Sequence, residues 1–369
     1  MPIFDLHRHF EGAHPITAVV AAALEGGVAE LASDEAARAA CVLGPAALLG
    51  LPSDAERRAT FARANAAARR VYSSPQVLRA LARETCVAAA REAPGGFELR
   101  FSLFSLVRAY LAGRPGPPLE ALTTAEVVSL ARELVLALIA GARESGTPAR
   151  LRFGLSRNLD PTLADKLVAV SQLAIDPDIA PSLCGLDVLG IAARGYAEPY
   201  PELLLQVLAQ LRRVLPDVVI HAGEFFDGDP EAPRASLRQA LALEPSGIGH
   251  GVWAASDPEL LRECARSGVT FEICPQSNRL LNHDGMRLLA SVSGVHPLLR
   301  LLQAGVRCVV CSDDPTFQGT TLADDRAFAQ GLGVVLDTLD AQAARRFAAL
   351  PRPPWAEPPP GLERREPQN

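Results

Sequence analysis

The sequence predicts an α/β fold, a (β/α)8 TIM-type barrel with a helical insertion after the first strand, and three observations carry that expectation. Eight short β-rich runs alternate with longer Ala/Leu/Arg segments of helical period, which implies a parallel sheet with helices packed outside it. At 369 residues the chain has room for such a barrel, which takes about 250, together with insertions. Each group of residues suited to chemistry falls at the C-terminal end of a run, the face on which barrels of this kind build their sites.

The first run, 2–7 (PIFDLH), leads into His7 and His9. Residues i and i+2 on a strand share a face, so these two imidazoles can converge on one metal ion. The stretch from Gly12 to Pro94 is too long for a single loop. It is rich in Ala, Arg and Leu and reads as a helical insertion over 13–94 that overhangs the C-terminal face. Within it, ERRATFARANAAARR carries Arg57, Arg58, Arg63, Arg69 and Arg70. These read as a solvated helix face; the alternative is that one of them reaches the site.

The next runs are 97–103 (FELRFSL), 151–156 (LRFGLS) and 184–189 (CGLDVL), with helices expected over 124–144 and 161–174. A helix over 201–213 precedes 218–221 (VVIH), which ends in HAGE, His221 to Glu224. A helix over 232–243 precedes 246–250 (SGIGH), which ends in the glycine-flanked His250. Helices over 257–267 and 296–304 flank 269–273 (VTFEI) and precede 306–311 (VRCVVC), which runs into SDDP, Ser312 to Pro315. Residues 1–350 are expected as one domain and the proline-rich 351–369 as a mobile tail.

Bulk properties narrow the function. A net charge of −6 argues against nucleic acid, whose phosphates call for a basic face. No apolar run approaches the roughly 18 residues of a membrane span, and the opening MPIFDLHRHF has no export signal. The expectation is a cytoplasmic protein with a small-molecule partner, as monomer or homodimer. Seven scattered cysteines suit reduced thiols. Cys308 and Cys311 look like a redox pair, but three apart on a strand they face opposite ways and read as core.

His221 would add a third imidazole to His7 and His9, and Asp313 a carboxylate, a donor set that suits a borderline-soft divalent ion such as zinc. Glu224 in a dry pocket would serve as a proton shuttle, and His250 would orient or deprotonate an attacking water. Plainer readings stand beside these: a glycine-flanked histidine is a common turn, and a double Asp before Pro commonly caps a helix. His14, His283 and His296 read as structural or exposed.

Taken in order, HRHFEG, ELRFS (98–102), GLDVLG (185–190), HAGE, IGHG, CPQSN (274–278) and SDDPTFQGT (312–320) resemble the adenosine deaminase family of metal-dependent amidohydrolases. The resemblance runs from about residue 3 to about 325 and is specific because seven motifs fall in the family's order. It implies one zinc per chain on His7, His9, His221 and Asp313, with iron or another divalent ion as the alternative. It further implies that Glu224 pairs with purine N1, His250 assists a metal-bound hydroxide attacking C6, Asp314 bonds N7 and the Gly190 backbone faces N3. The one lysine, Lys166, falls in a helix rather than at the end of strand four, so a carboxylated-lysine bridge between two metals is not expected.

The motifs also depart from the family. Ile191 and Ala192 follow Gly190 where an acidic pair is common, and Glu11 stands where adenosine deaminases usually carry Asp near the ribose 5′-hydroxyl. Glu there is familiar from adenine deaminases. The leading expectation is hydrolytic deamination of adenosine or a 5′-modified relative such as aminodeoxyfutalosine, with adenine as the alternative substrate. Another mononuclear amidohydrolase or a non-catalytic purine-binding barrel stands further off.

Overall fold

The computed structural model describes residues 2–112, 116–157, 163–190 and 201–355. Eight parallel strands form one sheet in chain order: β1 (Phe4–His9), β2 (Gly96–Ser102), β3 (Ala149–Ser156), β4 (Leu183–Leu189), β5 (Val218–Ala222), β6 (Gly247–His250), β7 (Thr270–Ile273) and β8 (Arg307–Val310). The sheet curls until β1 meets the end of β8. There His9 N donates to Asp313 O at 2.9 Å and Asp313 N to His7 O at 2.8 Å. The result is the (β/α)8 barrel.

The strand limits differ from the sequence expectation by up to two residues or so. The largest shift is in β1, which includes His7 and His9 because their backbone pairs with β2 and the seam. Between β1 and β2 lie α1 (Ile16–Gly26), α2 (Asp34–Cys41), α3 (Pro45–Leu49), α4 (Asp54–Arg69) and α5 (Pro75–Glu92). Ser33, Ser53 and Ser74 accept from the amides of Ala36, Glu56 and Val77 and so start α2, α4 and α5. β2 runs straight into α6 (Leu103–Ala112), and α7 (Thr124–Glu144) opens with a capping box between Thr123 and Glu126. Gly141 lets α7 approach α5: a Cβ there would stand 2.1 Å from the Arg79 carbonyl oxygen.

The outer layer continues with α8 (Ala164–Ser171), α9 (Pro201–Leu211), α10 (Glu231–Ala242), α11 (Pro258–Ser267), α12 (Pro275–Leu281) and α13 (His283–Ser293). It ends with α14 (Pro297–Gln303), α15 (Pro315–Gln318), α16 (Leu322–Gly331) and α17 (Leu336–Ala349). The helices named from the sequence do not include α12 and α13, where PQSN and NHDG break the apolar period. Burial of Gln276, Ser277 and Asn278 shows why polar residues tolerate this helix: they face the barrel mouth and α16 rather than solvent.

Lys166 sits on α8 and donates to the carbonyls of Leu119 and Glu120 at 2.9 Å each, away from the barrel mouth. Cys308 and Cys311 are buried in different apolar clusters, as opposite strand faces require. Of the expected tail, residues 351–355 are described: Pro353 is buried and Trp355 packs half-buried against the core. No helix among the described residues is long and apolar enough to cross a membrane.

Candidate active site

Eight of the nine residues singled out in the sequence line one cavity of ≈ 370 Å³ at the barrel mouth. The ninth, His7, lies behind its floor and is wholly buried. The ends of β1, β4, β5, β6 and β8 supply them, so closure of the barrel assembles groups as far apart in the chain as His7 and Asp314.

His7 Nε2, His9 Nε2 and His221 Nε2 converge, with 3.2 Å between the first two and 3.2 Å between the last two. Asp313 Oδ1 lies 3.6 Å from His7 Nε2 and 3.3 Å from His9 Nε2. Donors about 2.0–2.2 Å from a central ion in a tetrahedron are separated by about 3.3–3.6 Å, so this set fits a divalent ion such as zinc. The outer nitrogens are held: His7 Nδ1 is 3.1 Å from Glu272 Oε2 and His221 Nδ1 is 3.1 Å from Asp187 Oδ1. Each carboxylate accepts a hydrogen bond from Nδ1–H and so leaves the Nε2 lone pair facing the centre. Burial, reinforced for His7 by Arg100 and for His9 by His221, keeps both imidazoles well below their ordinary pKa. They are therefore neutral, the form that ligates.

His250 Nε2 lies 3.4 Å from Glu224 Oε1, and Asn278 Nδ2 donates to His250 Nδ1 at 3.1 Å. That contact puts the His250 proton on Nε2, facing Glu224 and the cavity. Burial pushes His250 down to about 3, while burial and the Asp313 charge push the Glu224 carboxyl well above its ordinary range. Asp314 is raised for the same two reasons. His250 and Asp313 both hold left-handed backbone conformations, φ 61° and 63°. For non-glycine residues such conformations are uncommon and cluster where a side chain must be aimed.

The first motif ends in a close approach. A Cβ on Gly12 would stand 1.9 Å from Asp314 Oδ1, so only glycine lets Asp314 lie across the end of β1. Glu11 is buried in the cavity wall, with Arg69 Nη2 3.4 Å from its Oε1. Gly190, at φ 103°, closes β4 beside them; Ile191 and Ala192 lie outside the described residues.

The solvated-face reading of the Arg-rich helix fails for three of its five arginines. Arg57 is buried between Asp54 and Asp284, while Arg58 and Arg69 turn into the cavity because α4 lies across the barrel mouth. Arg63 and Arg70 make surface contacts to Thr60 and Glu30. Along the cavity face of α4, Arg58 Nη1, Asn65 Oδ1 and Arg69 Nε are buried without partners among the described residues. His14 is buried between Thr85 and Tyr72, at 2.8 and 2.9 Å, and His283 and His296 are half-buried outside the site.

Sequence reasoning overlooked Asp187, Glu272 and Arg100. The available signal was a charged residue in the middle of an otherwise apolar parallel strand, where both faces are normally covered.

The adenosine deaminase family model matches residues 2–344. The chain belongs to the adenosine deaminase family. It is 34% identical to an aminodeoxyfutalosine deaminase of Acidothermus cellulolyticus over 193 residues, which is 52% of this chain and 50% of that protein. It is 32% identical to an adenine deaminase of Rhizobium rhizogenes over 191 residues, 52% of this chain and 53% of that one. The chain thus matches about half the length of these curated relatives. Among solved structures, an adenine deaminase from Arthrobacter aurescens superposes with a TM-score of 0.63 at 20% identity, covering 94% of this chain and 93% of that one. An amidohydrolase from Burkholderia ambifaria with bound Zn gives 0.63 at 20% identity, with 94% and 84% covered. At these identities the family member shares a fold with those structures, and the site must be argued from its own residues.

Proposed function

We propose that this member of the family catalyses hydrolytic deamination of a 6-aminopurine nucleoside, with one divalent ion, zinc, held by His7, His9, His221 and Asp313. The observation that carries the reading is that His9, His221 and Asp313 of this donor set open onto the same cavity as Glu224, His250 and Asp314. A structural metal would be closed by its ligands and would need no such neighbours.

When bound, the ion lowers the pKa of a coordinated water and makes it a nucleophile near neutral pH. Glu224, kept protonated by burial, donates to purine N1 and draws electron density from C6. His250, with its proton on Nε2, orients the incoming oxygen as a donor rather than removing its proton. Having passed its own proton to N1, where the 6-oxopurine keeps it, Glu224 as a carboxylate would carry a proton from that oxygen to the departing amine. The C6–O bond forms, the C6–N bond breaks, and the products are a 6-oxopurine and ammonia. Asp314 bonds N7, and the Gly190 backbone faces N3.

The substrate's far end lies against Glu11 and α4. A cavity of ≈ 370 Å³ exceeds what a free base needs and falls in the range of drug-sized ligands. Arg58, which also pairs with Asp227, and Arg69, which lies beside Glu11, bring positive charge to the cavity wall and match an anionic 5′ substituent, such as the carboxylate of aminodeoxyfutalosine. Glu11 and the adenine deaminases among the relatives favour adenine as the second reading.

The test is loss of the adenine absorbance on a panel of adenine, adenosine, deoxyadenosine, methylthioadenosine and aminodeoxyfutalosine. Turnover is expected for nucleosides, most efficiently with the carboxylated one. Failure of metal-loaded protein to turn over any of them overturns the reading, and preference for adenine selects the second.

A further inference from the structure

The interior of a (β/α)8 barrel is ordinarily filled by branched apolar side chains, but here it holds charges. Beneath the imidazoles, Arg100 Nη2 donates to Glu272 Oε2 at 2.8 Å and Nη1 to Asp187 Oδ2 at 3.1 Å. Nη2 also donates to the Leu6 carbonyl at 2.5 Å, and Nη1 passes 3.0 Å from His7 Nδ1. Arg100 Nη2 lies 3.9 Å from Glu98 Oε2, to which Arg152 Nε donates at 2.5 Å. Arg152 Nη1 then meets Asp217 Oδ1 at 2.8 Å, and Arg346 of α17 meets the same oxygen at 2.6 Å. Strand β2 borders neither β4 nor β7, so Arg100 reaches both by crossing the lumen. Charge therefore alternates down the barrel axis, from the imidazole cluster to the helix at its foot.

Such a column is weak grounds for stability, because buried ion pairs often do no better than apolar residues of the same volume. Its top has a different consequence. Glu272 and Asp187 hold different ligand histidines, and one guanidinium holds them both. A planar fork with two donor prongs fixes the separation and direction of two acceptors, which the single ammonium of lysine cannot do.

We propose that Arg100 is a positioning residue: by gripping Glu272 and Asp187 together it fixes the tautomer and direction of His7 and His221 and so sets the affinity and geometry of the divalent-ion site. This rests on the reading of His7, His9, His221 and Asp313 as ligands. Displacing the guanidinium frees both carboxylates at once, so the two imidazoles lose their alignment as a pair. Arg346, at the foot of the column, touches neither.

The test uses the full chain, with zinc affinity read by chelator competition and site geometry by the visible bands of the cobalt(II) form. Arg100→Lys is expected to bind zinc about 10–100-fold more weakly and to shift the cobalt bands. Arg346→Met is expected to lower the thermal-unfolding midpoint while leaving zinc affinity and cobalt bands as in the parent. If Arg100→Lys does not fold, Glu272→Gln carries the test, with weakened zinc binding expected and parental binding overturning the proposal. Parental affinity and bands in folded Arg100→Lys would make Arg100 merely structural and overturn it. So would an equal loss in Arg346→Met. A parent chain that binds neither zinc nor cobalt overturns the ligand reading itself, and the proposal with it, a failure distinct from the others.

Discussion

Asp5 accepts two hydrogen bonds from Ser312, one from its amide at 3.2 Å and one from its hydroxyl at 2.6 Å. The same carboxylate takes Arg8 Nε at 2.9 Å, and Arg8 reaches Glu92 of α5 at 2.9 Å. This clasp lies next to the two backbone bonds that close β1 on β8, immediately beside Asp313. The seam of the barrel and the candidate metal site are therefore one structure. Asp5→Ala leaves the buried Nε of Arg8 without its acceptor, Glu92 holding only the other end of the guanidinium, and is expected to lower the thermal-unfolding midpoint by roughly 1–5 °C and to weaken zinc binding. An unchanged midpoint in a thermal scan would show that the clasp does not hold the seam.

Glu224 and His221 lie three residues apart but are expected to fail differently. Glu224→Gln keeps the side chain's size and loses the transferable proton, so it should retain bound metal and lose activity by at least about 100-fold. His221→Ala should lose both. Metal content by elemental analysis alongside turnover distinguishes them, and parental activity in the Gln variant would remove Glu224 from proton transfer.

Gly12→Ala tests the approach of the first motif to Asp314. The added methyl overlaps Asp314 Oδ1, so Asp314 must move away from its position over the cavity. Substrate affinity is expected to fall about tenfold or more, the loss of one hydrogen bond to a buried partner, with metal content retained. An unchanged KM would separate Asp314 from substrate binding.

Arg58→Ala and Arg69→Ala should raise KM for a 5′-carboxylated nucleoside by about tenfold or more, as expected for a charge-assisted bond. Adenosine turnover should change far less. Equal effects on both substrates would mean that these arginines shape the wall without reading the substituent.

His14 gives a pH dependence with a defined sign. Burial pushes it from its ordinary 6.5 down to about 3. Between those values the unfolded chain binds a proton at this residue and the folded chain does not. Its contribution is therefore fully present above about pH 6.5 and is lost as pH falls towards 3. The difference in thermal midpoint between the parent and His14→Gln should be largest near neutral pH and shrink towards acid, while a difference that grows would reverse the assignment.

The barrel was legible because its strands and helices have different hydrophobic periods, and because a parallel sheet needs a helical return after each strand. The pairing of His7 with His9 was legible too, since a strand's two-residue period puts them on one face. The order of the motifs carried the rest of the candidate ligand set and the family. The Arg-rich helix was misread because composition cannot say which face of a helix lies against a cavity. Arg58 and Arg69 lie about three turns apart on the same helix as solvated Arg63, and only the placement of α4 across the barrel mouth separates them.

By itself, then, the sequence determined the fold class, the family and the residues that gather at the mouth, all of which follow from local periodicity and motif order. The tertiary structure decided what holds those residues in place. Arg100, Asp187 and Glu272 come from strands that are not neighbours in the sheet. Their meeting depends on the radius and stagger of the closed barrel, and no pattern along one strand encodes a contact made across the lumen.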